Sequence, residues 1–313
     1  MKRNSGGEYI RTIAEMKSIS AAAEALGISQ PALSSYLKKQ EQDLGTVLFD
    51  RSRQPLEPTD SGRVYLAYLE KQRLMNREMR QEISDIDNLK SGHLTVGGAT
   101  FFNVAYLPVA VERFTREYPG VDLEIVDGKI PEITMKAQQG KVDLFITPIA
   151  GEDDRFEYEE FVNEKIYLAV PSQWDISRRI GKPGEGGIRT LDKAGFEELC
   201  RYTFIVLKDD QHIGRKMKEL FDKFEAEPVK SVTAEQTMTT LALTLKGVGV
   251  SLITESSIRN FGIKELPVLF MPDEEICRRP MFIARAAGRY LSGPAREFMR
   301  ILREEYSYEM PLL

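Results

Sequence analysis

Two helix-start signals, separated by one glycine turn, lie near the N-terminus in the stretch SISAAAEALGISQPALSSYLKKQEQDLG. Ser20 is the expected N-cap of a short alanine-rich helix, and Gly27 supplies the left-handed residue that ends it. Ser29 is the expected N-cap of a second helix, and Pro31 lies in its first turn, where a missing N–H costs nothing. The stretch therefore predicts a helix, a turn and a longer helix.

The second helix has two faces that differ in chemistry. Apolar side chains gather on the face that should pack: Leu33, Tyr36, Leu37 and Leu44. Gln30, Ser34 and Lys38 form a stripe on the opposite face. Such a stripe fits the major groove of DNA, where Gln and Ser read base edges and Lys finds phosphate. An ordinary αα-hairpin with a solvated face is the alternative.

The residues after Gly45, TVLFDRSRQPLEPT, indicate a wing. Leu48 and Phe49 are expected to be buried, and Arg51 and Arg53 to share one face of two short strands. A first helix precedes the other two, with Tyr9, Ile10, Ile13, Ala14 and Met16 as its apolar residues. Three helices and a wing carrying two cations complete the module.

The run AAAEALGISQPALS, followed by LG, LFDR and T-x-S-G, closely resembles the N-terminal domain of LysR-type transcriptional regulators. The resemblance implies a winged helix-turn-helix over residues 1–59. Its expected DNA contacts are Ser29, Gln30, Pro31, Ser34, Ser35, Lys38, Arg51 and Arg53. Three positions differ from the usual family residues: Ser35 is often Arg, and Gln40 and Pro58 are usually Leu.

Residues 60–90 predict one long amphipathic helix. Apolar side chains recur there at helical spacing: Tyr68, Met75, Met79, Ile83 and Ile86. A solitary helix cannot bury such a stripe against so small a neighbour, so we expect it to pack on a second copy of itself. A helix packed back on its own chain is the alternative. The predicted assembly is a homodimer or homotetramer.

From residue 91 onward, strand-like and helical runs alternate, which predicts two α/β lobes. The first lobe is expected over about 91–163 and 268–313, and the second over about 164–267, so that VLFM (268–271) crosses back to the first. The resemblance implies the same plan, an effector domain similar to periplasmic binding proteins. A small molecule would bind between the lobes.

Ligands of open α/β lobes bind where the strands end and the helices begin. The residues at these strand ends are the predicted effector contacts: Thr100, Phe101, Asn103, Thr147, Asp209, Gln211, Glu235 and Gln236. For each hydroxyl, a helix cap is the alternative role. The charge of the effector stays open, because helix N-termini favour an anion whereas the acidic residues favour an amine or a polyol.

Composition and charge exclude some classes of function but do not identify a single one. The net charge is −5, and residues 1–60 hold eight cations and eight acids, so DNA binding rests on where the cations lie. The N-terminus lacks an apolar segment and no run reaches bilayer length, so a cytoplasmic protein without membrane contact is expected. Cys200 and Cys277 are expected to be buried thiols rather than a redox pair. His93 and His212 lack neighbouring ligands or catalytic motifs at suitable spacing, so neither a metal, a cofactor nor a catalytic site is predicted.

The expected function is that of a DNA-binding transcriptional regulator controlled by a small-molecule effector, with double-stranded DNA as partner. Two other classes remain. A solute-binding protein of the transport kind would need a secretory signal, and an enzyme on a two-lobed scaffold would need a catalytic constellation.

Overall fold

The computed structural model describes residues 6–86, 92–151, 153–260 and 265–307. These residues form two units: the first extends to Ile83, and the second begins at Ser84. Each unit has hydrophobic clusters of its own, as expected for a chain of 313 residues. Among the described residues, no helix is both long enough and apolar enough to cross a bilayer.

Three short helices, a two-stranded wing and a long helix follow one another at the start of the chain. They are α1 (Gly6–Met16), α2 (Ile19–Ala25), α3 (Gln30–Leu44), β1 (Phe49–Asp50), β2 (Glu57–Pro58) and α4 (Asp60–Ile86). Strands β1 and β2 pair antiparallel, as the wing requires. The first unit therefore has the predicted winged helix-turn-helix architecture.

Local signals set most of the helix ends in this unit. Gly27 and Gly45 both have φ +68°, the left-handed conformation expected of them. The predicted cap of α2 is wrong by two residues: Ser18 is the N-cap, and its hydroxyl oxygen accepts a hydrogen bond from the Ala21 N–H at 3.3 Å. Ser18 has the extended backbone that an N-cap needs, whereas Ser20 already lies inside the helix.

Helices α1, α2 and α3 bury one hydrophobic core together with the wing. Its fully buried members include Ile10, Ile13, Ala22, Leu33, Leu37, Leu48 and Phe49. Leu44 was expected in this core but is 45% exposed, because it is the last residue of α3, directly before the Gly45 turn. Met16, the last residue of α1, is exposed for the same reason.

Helix α4 carries the predicted apolar stripe on its outer surface. The exposed apolar side chains are Val64, Tyr68, Met75, Met79 and Ile83, which recur four or seven residues apart and so share one side of the helix. The predicted end of the helix near Leu89 and the side chain of Ile86 lie outside the described residues. Within one chain, this stripe has no covering element among the described residues.

The second unit alternates strands and helices. Its strands are β3 (Gly92–Gly98), β4 (Val121–Asp127), β5 (Leu144–Thr147), β6 (Phe156–Val170), β7 (Lys182–Pro183), β8 (Arg189–Thr190), β9 (Thr203–Leu207), β10 (Lys230–Ala234), β11 (Val250–Thr254), β12 (Val268–Met271) and β13 (Arg278–Ala286). Its helices are α5 (Thr100–Glu117), α6 (Ile130–Gln138), α7 (Ile176–Arg179), α8 (Lys193–Leu199), α9 (His212–Phe224), α10 (Thr237–Leu245), α11 (Glu255–Asn260) and α12 (Gly293–Tyr306).

These elements form two lobes joined by a shared strand. In the first lobe the strand order is β4-β3-β5-β13-β6, and in the second it is β10-β9-β11-β6-β12-β8-β7. Strand β6 belongs to both, because residues 156–165 pair with β13 and residues 166–170 pair with β11 and β12. Strands β3, β4 and β5 are parallel to one another, as are β9, β10 and β11.

Two predicted strand assignments differ from this topology. The apolar run IYLAVP (166–171) predicts a strand of its own, but residues 166–170 continue β6 from Phe156 without a break. The run 268–271 was expected to cross back to the first lobe. It is β12, which pairs with the second-lobe part of β6 and with β8, and the crossing strand is β13.

Candidate nucleic-acid interface and effector cleft

Helix α3 turns a polar face outward because its start and its buried side are fixed. The Ser29 hydroxyl oxygen accepts a backbone hydrogen bond at 3.4 Å, and Pro31 occupies the first turn. Leu33 and Leu37 are fully buried, so the opposite face meets solvent. The predicted contact residues that are exposed on α3 and its cap are Ser29, Gln30, Pro31, Ser35 and Lys38. Ser34 is half-buried and lies at the edge of this face.

The two wing cations are exposed, and each is paired with acids of its own unit. Arg51 Nη2 lies 3.0 Å from Glu41 Oε2. Arg53 contacts Glu57 at 3.0 Å and Asp50 at 3.2 Å. The side chains of Arg51 and Arg53 remain 51% and 65% exposed, so solvent screens these ion pairs and they add little to stability. Exchange of these carboxylates for DNA phosphates therefore costs little.

The unusual residue Gln40 has a partner in the linker helix. The Tyr65 hydroxyl donates a hydrogen bond to Gln40 Oε1 at 3.1 Å, and both side chains are half-buried. A leucine at this position would leave the Tyr65 hydroxyl without this acceptor. Gln40, a polar residue on the apolar side of α3, thus helps α3 to pack against α4.

In the first lobe, Thr100 and Phe101 begin helix α5 directly after strand β3. The N-cap is Ala99, which makes no side-chain cap bond, so the alternative role of Thr100 as a cap is wrong. Thr100 is exposed and Phe101 is half-buried. Within the described part of the chain, the Thr100 hydroxyl has no hydrogen-bond partner, which leaves it available to a ligand.

Asn103 and Thr147 are more deeply buried than Thr100, and both already hold backbone or side-chain partners. Asn103 Nδ2 donates to Asp127 Oδ1 at 2.7 Å and to the Val126 carbonyl at 3.2 Å, which ties α5 to the end of β4. Asn103 Oδ1 is buried without a partner among the described residues. The Thr147 hydroxyl oxygen accepts the Ile149 N–H at 3.2 Å and closes the turn after β5.

In the second lobe, Gln211 and Glu235 lie against each other at neighbouring strand ends. Gln211 Nε2 donates to the Glu235 carbonyl oxygen at 3.1 Å. The Glu235 carboxylate is hydrogen-bonded to Lys208, which lowers the pKa of Glu235. The positive charge of Lys129 lowers this pKa further, and Lys129 belongs to the first lobe. The strand ends of the two lobes therefore approach each other.

Asp209 and Gln236 complete the predicted set in the second lobe. Asp209 is exposed, with its carboxylate 3.8 Å from Lys218 Nζ. Gln236 is the exposed N-cap of α10 and makes no side-chain cap bond. The structure thus groups Gln211, Glu235 and Gln236 at one side of the second lobe.

A buried ion pair lies where β6 and β13 cross between the lobes. Arg279 on β13 is paired in register with Glu164 on β6, and Arg279 Nε donates to Glu164 Oε1 at 2.7 Å. The Tyr106 hydroxyl donates to the same oxygen at 2.5 Å, and the Ser256 N–H donates to Glu164 Oε2 at 3.1 Å. Burial is the largest single effect and lowers the pKa of Arg279, but the charges and hydrogen bonds of Glu164 and Tyr106 together outweigh it, so the pKa is raised. The pair joins both lobes to one network.

Arg279 also faces the start of helix α5. Its guanidinium carbon lies 5.8 Å from the centre of the Phe101 ring and 5.4 Å from that of Phe102. A guanidinium at this distance from aromatic rings is in the range of cation–π attraction. The predicted effector residue Phe101 is therefore in contact with a buried cation.

His212, the first residue of α9, lies near the same cation from the second lobe. Burial lowers the pKa of His212 to about 4, and the charges of Arg279, Lys216 and Arg215 lower it in the same direction. The imidazole is therefore neutral at pH 7. Its Nδ1 is buried without a hydrogen-bond partner among the described residues.

The sequence prediction missed Arg279, Glu164 and His212 as members of the cleft. A usable signal was the two-residue period of the strands. Arg279 shares the buried register of β13 with Met281 and Ile283, as Glu164 shares that of β6 with Ile166. A buried Arg and a buried Glu require partners, so each predicts the other.

The cysteines and the remaining histidine lie apart from this cluster. Burial raises the pKa of the Cys200 thiol to about 11 and that of Cys277 to about 12, which makes both poor nucleophiles. His93 has acids nearby in space, although none at metal-ligand spacing along the chain. Its Nδ1 lies 3.1 Å from Asp122, and its Nε2 lies 3.7 Å from Glu124, on the paired strand β4. In the described residues, no group of three or more side chains could hold a metal ion.

Both parts of the chain match families of known regulators. Residues 8–63 match the family described as "Bacterial regulatory helix-turn-helix protein, lysR family", and residues 87–307 match the "LysR substrate binding domain". The chain belongs to the LysR family of transcriptional regulators. It is a DNA-binding transcriptional regulator with an effector-binding domain, in a family of regulators rather than of enzymes.

Individual LysR relatives are distant but span the whole chain. The HTH-type transcriptional regulator YybE of Bacillus subtilis is 22% identical, over 96% of this chain and 98% of its own length. A probable RuBisCO transcriptional regulator of Trieres chinensis is 23% identical over 86% of each chain.

Solved LysR-family structures share the fold. A full-length OxyR variant from Pseudomonas aeruginosa has a TM-score of 0.66 at 20% identity, covering 96% of this chain and 93% of that one. Full-length CbnR in complex with its target DNA has a TM-score of 0.61 at 20% identity, covering 96% and 98%.

Proposed function

We propose that this LysR-family protein binds operator DNA through helix α3 and the wing, and that a small molecule bound between the two lobes controls it. The observation that carries the DNA-binding surface is the outward face of α3, where Gln30 and Lys38 are exposed while Leu33 and Leu37 are buried. A helix whose outward side chains can donate to base edges and phosphates suits the major groove. The full proposed contact set is Ser29, Gln30, Pro31, Ser34, Ser35, Lys38, Arg51 and Arg53.

The proposed division of the chain follows from these roles. Residues 1–59 would bind DNA, 60–90 would link and dimerise, and 91–313 would bind the effector. The exposed apolar stripe of α4 supports a homodimer or homotetramer, because contiguous exposed apolar patches mark surfaces at which proteins associate. A protein that acts on chromosomal DNA is proposed to work in the cytoplasm. CbnR, a relative in fold, has been solved with its target DNA, which supports a DNA partner here.

The proposed effector site is the set of strand ends at which the two lobes approach each other. Thr100 offers a free hydroxyl, and Phe101 offers an aromatic wall. Gln211, Glu235, Gln236 and Asp209 supply the second-lobe side, and Asn103 and Thr147 shape the first-lobe side from beneath. A ligand that prefers one relative pose of the lobes would shift the population of that pose.

Footprinting of the purified full-length protein tests the proposal. The DNA should be the region upstream of its own gene and of the neighbouring genes. Protected half-sites about one helical turn apart, or a multiple of that spacing, are expected for a symmetric oligomer. Equal protection of this DNA and of an unrelated fragment at matched salt would contradict sequence-specific binding.

A further inference from the structure

We propose that the effector carries an oxyanionic group, a carboxylate, sulfate or phosphate, and that Arg279 receives it through its Nη1 N–H groups at the base of the cleft. The inference rests on the proposed function, because it takes the cleft between the lobes as the effector site. It assigns the charge of the ligand, which the sequence alone left open.

The first argument is that one side of the Arg279 guanidinium is unused. Nε and Nη2 both donate to Glu164 Oε1, and Nη2 also lies 3.3 Å from the Tyr106 hydroxyl. Because a guanidinium is planar, Nη1 then points away from Glu164. In the described part of the chain, Nη1 has no hydrogen-bond partner, and this atom keeps some solvent access although the Arg279 side chain as a whole is only 2% exposed. Unused donors on a buried cation favour an acceptor from outside the chain.

The second argument is that Glu164 does not cancel the cation on that side. The Glu164 carboxylate accepts from Arg279, from the Tyr106 hydroxyl and from the Ser256 N–H. Its negative charge is thus spread over donors from three elements, on the side opposite Nη1. The field on the Nη1 side is therefore positive, and at low dielectric it acts with less screening than on the surface.

The third argument comes from the second lobe, where Arg215 adds a cation that donates to the Asp210 carbonyl oxygen rather than to a carboxylate, whereas Lys216 is paired with Glu219. Lys216 and Arg215 act together with Arg279 on His212, and the low pKa of His212 keeps its imidazole from being a competing cation. A cationic ligand would lie in this positive field without an acidic partner. The acids that might receive an amine, Glu235 and Asp209, are already paired with lysines of their own lobe.

The fourth argument is the wall on which Arg279 rests. The rings of Phe101 and Phe102 lie against its guanidinium. They limit its motion, and a fixed Arg fork favours planar oxyanions that accept two hydrogen bonds. The free Thr100 hydroxyl at the start of the same helix is a second donor for such a group.

Calorimetric titration of the full-length protein tests the assignment. The probes are sodium benzoate, sodium sulfate and sodium phosphate, each against sodium chloride at matched ionic strength, with glucose and putrescine as neutral and cationic probes. At least one oxyanion should bind, and the three arms distinguish a carboxylate from a tetrahedral anion. The Arg279→Lys variant should weaken that binding about tenfold or more, because its single nitrogen is held by Glu164.

Arg113→Lys is the matched control. Arg113 lies on α5 and is paired with Glu117, Glu304 and Glu305 at the surface, so its variant should bind the anion as the wild type does. If Arg279→Lys fails to fold, wild-type crystals soaked in selenate locate the site through the anomalous signal of selenium. Selenate within hydrogen-bond distance of Nη1 is the expected result.

Three results would overturn the assignment. They are binding of glucose or putrescine but of no oxyanion, equal oxyanion affinity in the wild type and Arg279→Lys, and selenate bound only elsewhere. Absence of any binding would overturn it as well. The proposed function is tested separately by the footprint. A specific footprint without oxyanion binding would contradict only the assignment of the ligand. Absence of a specific footprint would contradict the proposed DNA-binding function.

Discussion

At the scale of single residues, Glu164 and Arg279 form a fully buried charge pair in the second unit. Glu164→Gln would leave the Arg279 charge buried beside a neutral partner, with an expected loss of about 3–5 kcal/mol in the free energy of unfolding. The double variant Glu164→Gln/Arg279→Gln removes both charges and should recover a large part of that loss. Urea unfolding monitored by circular dichroism measures both, and a fully additive double variant would contradict a coupled pair.

The same cluster predicts a pH dependence through His212. Its pKa is lowered from 6.5 to about 4 in the folded chain, so the unfolded chain binds the extra proton between these values. The contribution of neutral His212 to the free energy of unfolding is fully present above pH 6.5. It is lost as the pH drops towards 4, by about 2 kcal/mol between pH 7 and pH 5. The positive charges that oppose protonation of His212 belong to Arg279, Lys216 and Arg215.

His212→Gln should remove that part of the acid sensitivity. The measurement is urea unfolding at pH 7 and pH 5 for the wild type and the variant. Thr115→Ser is the control, because Thr115 is an exposed residue of α5 that does not titrate, so this variant should keep the wild-type difference. An identical drop in all three proteins would show that the acid sensitivity arises elsewhere.

Residues differ in how far the sequence could predict them, and the reason is the range of the forces involved. Gly27, Gly45 and Ser29 act within a few residues, so their roles could be predicted correctly. Glu164, the partner of Arg279, is 115 residues away in the chain, so no local sequence pattern predicts this pair. Ser18 displaced Ser20 because both are plausible caps and only the backbone conformation chooses between them.

At the scale of elements, the face of α3 predicts how DNA affinity responds to salt. Lys38→Ala should weaken binding to every DNA sequence and lower the salt slope by about one unit, because one phosphate contact is lost. Binding curves at several salt concentrations measure both effects. Lys246→Ala, an exposed lysine at the end of α10, should leave affinity and slope unchanged. An unaltered slope for Lys38→Ala would contradict the proposed docking of α3.

The stripe on α4 predicts the oligomeric state. Met79→Glu together with Ile83→Glu would place charges in the proposed seam, at a cost of several kcal/mol if they are desolvated. Sedimentation velocity should then show a smaller species than the wild type. Val229→Glu is the control, since Val229 is 75% exposed and lies in the second lobe, outside the stripe. An unchanged sedimentation coefficient for the double variant would remove α4 from the interface.

The elements also show why β12 was assigned to the wrong lobe. The sequence predicts that residues 268–271 form a strand, and they do. Its neighbours, however, are the second-lobe part of β6 and the two-residue strand β8. A strand as short as β8 has no periodicity from which it can be predicted, so the sequence cannot show what β12 pairs with.

At the scale of the whole molecule, effector response and DNA binding should separate. Thr100→Val keeps the shape of the side chain but removes its hydroxyl, a loss of about 0.5–1.5 kcal/mol in ligand binding. The effector concentration that alters the footprint should rise by up to about tenfold. Footprinting without effector should match the wild type. A wild-type response at the same effector concentration would place the ligand away from the start of α5.

The ribosome synthesises the first strands of the first lobe early and its last strand late. Its sheet has β13 between β5 and β6, so the strand opposite Thr147 is the one that contains Phe282. On a ribosome that adds about 5–20 residues each second, the gap of about 135 residues between Thr147 and Phe282 lasts roughly 7–27 s. Until then β5 and β6 lack their common neighbour, whereas the last strand of the second lobe, β12, is complete at Met271, before β13 begins. The nascent first lobe thus exposes two unpaired strand edges for seconds, and unpaired strand edges are the sites at which nascent chains aggregate.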